Sequence, residues 1–255
     1  MTMNRRSFLS TLCAMSFWNG AHAEASPWKA RFLDGGFDGK DYWAGLLVEM
    51  SKSWKTYWRV PGAGGIPPQV EATGVNLKSA ELLFPVPQRF YDESGESIGY
   101  KDQVVFPLRL APRDIAAPLE VKFLSFFGVC EVVCIPARSE ATLYFAMGSN
   151  QSPDALLVNA WRQKLPVPSE NGPVLSAAVT MKNNKPALDI FFNGKTDDLF
   201  VSGSDKYYFH APRIEDQRAS VAVSGAKSPD ELKGQALQIV TVAAGKGLEQ
   251  TVLVG

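Results

Sequence analysis

From Ser53 to Val60 the chain alternates strictly. Trp54, Thr56, Trp58 and Val60 fall on one face of an extended strand, and Lys55, Tyr57 and Arg59 on the other. Pro61-Gly62-Ala63-Gly64-Gly65-Ile66-Pro67-Pro68 then breaks the strand with a turn-rich loop. Upstream, Lys29–Leu33 and Tyr42–Met50 read as strands separated by Asp34-Gly35-Gly36. Downstream, strands are expected near Ala80–Phe84, Val104–Leu110, Leu119–Phe127 and Thr142–Met147, with a polar loop from Asp92 to Gly99.

A single helical pattern follows. Ser152-Pro153-Asp154 supplies a Ser N-cap, a proline at the first helical position and an acid in the first turn. Leu156, Leu157, Ala160, Trp161 and Leu165 then recur at helical spacing until Pro166-Val167-Pro168, so an interdomain helix and a stiff linker are predicted. The Trp161 stripe is read as packing. From Pro173 the pattern is β again: Leu175–Met181, a turn at Asn183-Asn184-Lys185-Pro186, Ala187–Phe192, then Leu199–Val201, Tyr207–His210, Ala219–Val223, Leu237–Ala243 and Leu248–Val254. The predicted class is all-β, two immunoglobulin-like sandwiches joined by a short helix. The expected divisions are residues 24–150, a helix and Pro-rich linker at 151–169, and a second small sandwich at 170–255.

Residues 1–23 change the picture of location. Arg5-Arg6 form a charged start, Phe8–Trp18 a short apolar stretch, and Ala21-His22-Ala23 an A-x-A cleavage site. The order Asn4-Arg5-Arg6-Ser7-Phe8-Leu9 resembles a twin-arginine export signal, with general secretion as the alternative. These eleven residues, diluted by Ser10, Thr11 and Ser16, fall short of the roughly 20 a spanning helix needs. Leu12 before Cys13 argues against lipidation. Export with cleavage near Ala23 predicts a soluble protein of an oxidising compartment, most simply a bacterial periplasm. Without those residues, Lys+Arg is 24 against Asp+Glu 26, which gives no electrostatic case for a nucleic-acid partner.

Candidate chemistry is sparse. Past the leader the chain holds two cysteines, Cys130 and Cys134, and one histidine, His210, whose neighbours Phe209, Ala211 and Pro212 build no catalytic group. Gly62-Ala63-Gly64-Gly65 lies between β segments, so it is a poor phosphate loop. Asp197-Asp198 and Glu215-Asp216 lack calcium-loop spacing and read as solvated turns. No cofactor or metal site is expected. The cysteines lie four positions apart. An extended strand would hold their Cα atoms roughly 13 Å apart, at about 3.3 Å per residue. A disulfide tolerates only about 4.4–6.8 Å, so a bridge requires a turn between them. Closing so small a loop adds roughly 2 kcal/mol in the chain-entropy view, a weak staple for a domain of this size. A thiol pair close in sequence re-forms quickly after attack, as exchange requires. Redox work is therefore favoured over a structural bridge, which stays open.

The block Ser53-Trp54-Lys55-Thr56-Tyr57-Trp58-Arg59-Val60-Pro61-Gly62 with Gly65-Ile66-Pro67-Pro68 resembles the N-terminal periplasmic domain of the thiol:disulfide interchange protein DsbD family, in its ScsB-like branch. Phe84-Pro85-Val86-Pro87, Ile98-Gly99-Tyr100 and Val129-Cys130-Glu131-Val132-Val133-Cys134-Ile135-Pro136 follow in the family's order. The resemblance implies an immunoglobulin-like domain whose redox pair would be Cys130 and Cys134. It implies a membrane-embedded thiol reductase of DsbD or CcdA type as electron donor, and periplasmic thioredoxin-fold or disulfide-isomerase-like proteins as acceptors. It also implies a cap loop with a shielding aromatic. Arg89-Phe90-Tyr91-Asp92-Glu93-Ser94 lies in the matching region, so Phe90 or Tyr91 would be the shield, with core packing the alternative for each ring. Three residues separate the cysteines here, fewer than in DsbD itself. With no transmembrane carrier or thioredoxin-like domain in this sequence, the electron supply is expected to be a separate membrane protein.

Two other readings remain at this point. One is a binding module whose disulfide merely pins a turn. The other is copper handling, since two soft thiolates can hold Cu(I), although no His or Met cluster adjoins them.

Overall fold

A computed structural model describes residues 26–92, 95–147 and 152–255. The export leader lies outside the described residues, as do Glu93 and Ser94 of the expected cap loop. The first ten strands are β1 Trp28–Phe37, β2 Tyr42–Met50, β3 Lys55–Gly62, β4 Gln69–Val75, β5 Leu77–Leu82, β6 Gln88–Asp92, β7 Gly95–Lys101, β8 Gln103–Pro112, β9 Leu119–Cys130 and β10 Cys134–Phe145. They form a sandwich of two sheets ordered β1-β2-β8-β5 and β10-β9-β3-β7-β6, with β4 also pairing with β9.

The β3 alternation read from the sequence orients the sandwich. Thr56 and Trp58 are fully buried between the sheets, Trp58 in one core with Phe106, Phe123, Phe127 and Val129. The opposite face of β3 is buried as well: Lys55 and Tyr57 are each 3% exposed. The expected polar loop from Asp92 to Gly99 is a correction. Gln88–Asp92 and Gly95–Lys101 pair in register as a hairpin, Phe90 opposite Ser97 and Tyr91 opposite Glu96. The charged side chains of the hairpin are held by ion pairs, Asp92 with Lys55 and Glu96 with Arg89.

Helix α1, Ala155–Arg162, begins two residues later than the Ser-Pro signal implies. Asp154 occupies the N-cap, and the Ser152 hydroxyl accepts the Asp154 N–H at 3.2 Å. α1 docks on the first sandwich, where Val158 is fully buried among Leu33, Trp43, Leu47 and Val105. Trp161 packs against the same clusters, as its helical spacing predicts.

The remaining strands are β11 Val167–Pro168, β12 Val174–Lys182, β13 Lys185–Phe192, β14 Asp198–Ser202, β15 Tyr208–Glu215, β16 Arg218–Ser224, β17 Ala236–Ala243 and β18 Lys246–Leu253. They build two sheets, β11-β18-β17-β14 and β12-β13-β16-β15. The stiff Pro-rich linker thus contains a short parallel strand, with Val167 opposite Leu248. The predicted turn at Asn183-Asn184 is present, with φ of 51° and 59°, values asparagine tolerates better than most residues.

Period two also joins the sandwiches. On β14, Leu199 and Val201 enter the second core, while Phe200 between them enters the first, 5.7 Å from the Trp58 ring. Val240 does the same on β17. Around this apolar seam, the Arg59 guanidinium lies 4.3 Å over Trp58, donates to the Ser202 hydroxyl at 3.2 Å and pairs with Glu249.

Candidate redox site

The turn demanded by the cysteine spacing is a hairpin end. Cys130 ends β9, Cys134 starts β10, and the two are register partners with Glu131, Val132 and Val133 looping between them. Their Cα atoms are 4.1 Å apart and a disulfide joins them. The two sulfurs differ in setting. Cys130 is 2% exposed, whereas Cys134 is an exposed residue. Val132 and Val133, at 89% and 70% exposed, form an apolar rim beside Cys134.

The face carrying the bridge follows from register. Lys55 of β3 is the partner of Cys130, so both side chains leave the sheet on its outer face, together with Tyr57. The Tyr57 hydroxyl lies 3.4 Å from the Cys134 sulfur. Burial, and next the Asp92 carboxylate, raise its pKa, so the group is a protonated phenol at neutral pH and can donate to a sulfur.

Two segments cover this face. The first is the loop after β3. At Gly65, φ is 139° and an added Cβ would stand 2.5 Å from the Tyr57 ring, so backbone conformation and close approach both require glycine there. Ile66 packs over Gly128, with the Gly128 N–H donating to its carbonyl at 2.9 Å, while the Thr56 hydroxyl donates to the Gly128 carbonyl at 2.8 Å. The second is the β6–β7 hairpin. The Lys55 ammonium reaches along the face to donate to the Ser97 hydroxyl at 2.9 Å and pairs with Asp92. A buried lysine is tolerable only with such partners.

The expected shielding aromatics separate. Phe90, opposite Ser97, shares the face of Lys55 and the bridge, and is half-buried with the Lys101 ammonium 4.4 Å from its ring centre. Tyr91 leaves the opposite face and is 69% exposed. His210 is a strand residue whose Nε2 lies 2.7 Å from the Ser224 hydroxyl. Asp198, read from the sequence as a solvated turn, is instead paired with Arg89, a correction whose cause is a partner 109 residues away. Lys55, Tyr57 and Asp92 were missed as site residues. The alternation of β3 marks the side on which Lys55 and Tyr57 lie but not what covers it, and Asp92 enters the site from β6. Among the described residues, no group of three or more His, Cys, Asp or Glu side chains is placed to hold a metal, and no helix is long and apolar enough to cross a membrane.

The site is thus a β-sandwich with a close cysteine pair bridged at the end of one hairpin, on the outer face of a sheet. Residues 26–146 match the family model for the thiol:disulfide interchange protein DsbD, N-terminal, and form a domain of that family. In fold, the chain is similar to the crystal structure of the N-terminal periplasmic domain of ScsB from Proteus mirabilis. The TM-score is 0.69 at 23% identity, covering 90% of this chain and 94% of that one. No curated protein matches the chain.

Proposed function

We propose that the chain is a periplasmic thiol–disulfide exchange module that passes electrons from a membrane-embedded thiol reductase to periplasmic disulfide proteins through Cys130 and Cys134. The observation that carries this reading is the asymmetry of the bridge. In a DsbD N-terminal-type domain, one sulfur is buried and the other sits on an exposed residue with a phenolic donor against it.

Cys134 is the sulfur that meets partners. In the electron-accepting half, a donor thiolate attacks the Cys134 sulfur, the bridge breaks, and Cys130 leaves as a thiolate that takes up a proton. The donor's second thiolate then attacks its own sulfur in the mixed disulfide and releases Cys134, so the donor ends oxidised and this pair reduced. In the delivering half, the Cys134 thiolate attacks an acceptor disulfide, and Cys130 then attacks the Cys134 sulfur to restore the bridge. Two electrons and two protons pass to the acceptor. The Tyr57 hydroxyl is placed to donate to Cys134 whenever that sulfur carries charge. Phe90 is the ring on the correct face to shield the pair, and the exposed Val132–Val133 rim offers an apolar contact to a docking partner.

Single-cysteine variants test this. Cys130→Ala should accumulate a mixed disulfide with a partner, because the exposed sulfur is kept and the resolving one removed. Cys134→Ala should accumulate little. If neither variant forms a mixed disulfide with a thioredoxin-fold partner, the exchange reading fails.

A further inference from the structure

The β6–β7 hairpin lies at the edge of its sheet and works on both faces. By strand period, Phe90, Asp92 and Ser97 point to the redox face, and Arg89, Tyr91 and Glu96 point away from it. The first set meets the Lys55 ammonium through Asp92 and Ser97.

The second set meets the second sandwich. The Arg89 side chain is 8% exposed and pairs with Glu96 across the hairpin. It also donates to both carboxylate oxygens of Asp198 at 3.3 Å and to the Leu199 carbonyl at 2.9 Å, with its guanidinium 4.7 Å over the Phe200 ring. The other Glu96 oxygen accepts the Ala211 N–H at 3.0 Å. One residue from each hairpin strand is therefore gripped by β14 and β15. Each gripped residue is the immediate chain neighbour of one on the redox face, Arg89 of Phe90 and Glu96 of Ser97.

We propose that the second sandwich is a clamp: through Arg89, Glu96 and Asp198 it fixes the β6–β7 hairpin so that the Asp92 carboxylate stays on Lys55, beside the Cys130–Cys134 bridge. Arg89 and Asp198 are positioning residues for the redox pair although neither shares its face. Held in place, Asp92 offsets the Lys55 charge. Once the hairpin loosens, the ammonium is left uncompensated near the sulfurs, which favours thiolate and hence the reduced pair.

The inference rests on the pair being an exchange centre, but its test reads differences between variants and not the absolute potential. The full chain is equilibrated with dithiothreitol, whose two thiols reduce the bridge and close into their own ring disulfide. Asp92→Asn, which deletes the carboxylate directly, should raise the equilibrium constant for reduction by about threefold or more, the scale of a partly screened charge contact. Arg89→Gln and Asp198→Asn should both raise it as well, although one removes a cation and the other an anion. A direct long-range effect of those charges would instead move the constant in opposite directions. In an Asp92→Asn background both shifts should vanish. Opposite signs, no shift in either variant, or shifts that persist without Asp92 would overturn the clamp. Should Arg89→Gln fail to fold, the near-isosteric Asp198→Asn with and without Asp92→Asn decides alone. A bridge that proves purely structural would appear as a very low absolute potential in every variant, a different outcome from an absent shift.

Discussion

The Tyr57 hydroxyl lies 3.4 Å from the Cys134 sulfur, on a ring that is itself buried and braced against Gly65. The contact ties the strand with the alternating Trp-Lys-Thr-Tyr-Trp-Arg pattern to the sulfur of the exposed cysteine. A fixed phenolic donor costs little reorganisation when charge develops on that sulfur, and hydrogen bonds to charged groups are the stronger kind.

Tyr57→Phe should therefore weaken the Cys134 thiolate without displacing the backbone. A hydrogen bond to a charged group is worth about 1.5 kcal/mol or more, so the thiolate fraction near neutral pH should fall by about tenfold. Alkylation of the reduced protein by iodoacetamide as a function of pH reads this directly, since Cys130 is 2% exposed and reacts little. The alkylation profile should move to higher pH.

Val132 is 89% exposed at the tip of the redox hairpin. Val132→Asp should slow exchange with a protein partner several-fold by placing a charge at an apolar contact, yet leave reduction by dithiothreitol unchanged. Equal loss with both reductants would locate the effect in the hairpin itself.

The Tyr208 hydroxyl is buried beside the Glu96 carboxylate. Burial first, and Glu96 next, push its pKa up to about 12. The folded value thus lies above the unfolded one of about 10, so the associated stability is complete below pH ~10 and is lost as pH rises toward the folded value. Urea unfolding between those limits should show wild-type stability falling with pH, and Tyr208→Phe falling less steeply.

Much of this arrangement is local and was legible. Each face of β3 follows from alternation alone, and the turn between Cys130 and Cys134 follows from their spacing. The pairing partner of a strand is another matter. Lys55 and Tyr57 look like solvent-facing residues until the Gly62–Pro68 loop and the β6–β7 hairpin cover them, and both covers are set by tertiary register. Asp198 reads as a turn carboxylate because Arg89 is distant in sequence. The polar run after Asp92 reads as a loop because Glu96 finds its partners in Arg89 and the Ala211 N–H, both in other strands. Signals confined to a few residues survived; those that need a second segment did not.

The reduction potential of the Cys130–Cys134 couple tests the central claim most directly. Equilibration of the full chain against dithiothreitol and glutathione buffers should give a value above about −300 mV, in the range of couples that exchange electrons with partners. A value below about −300 mV would mark the bridge as a structural staple and contradict the exchange function.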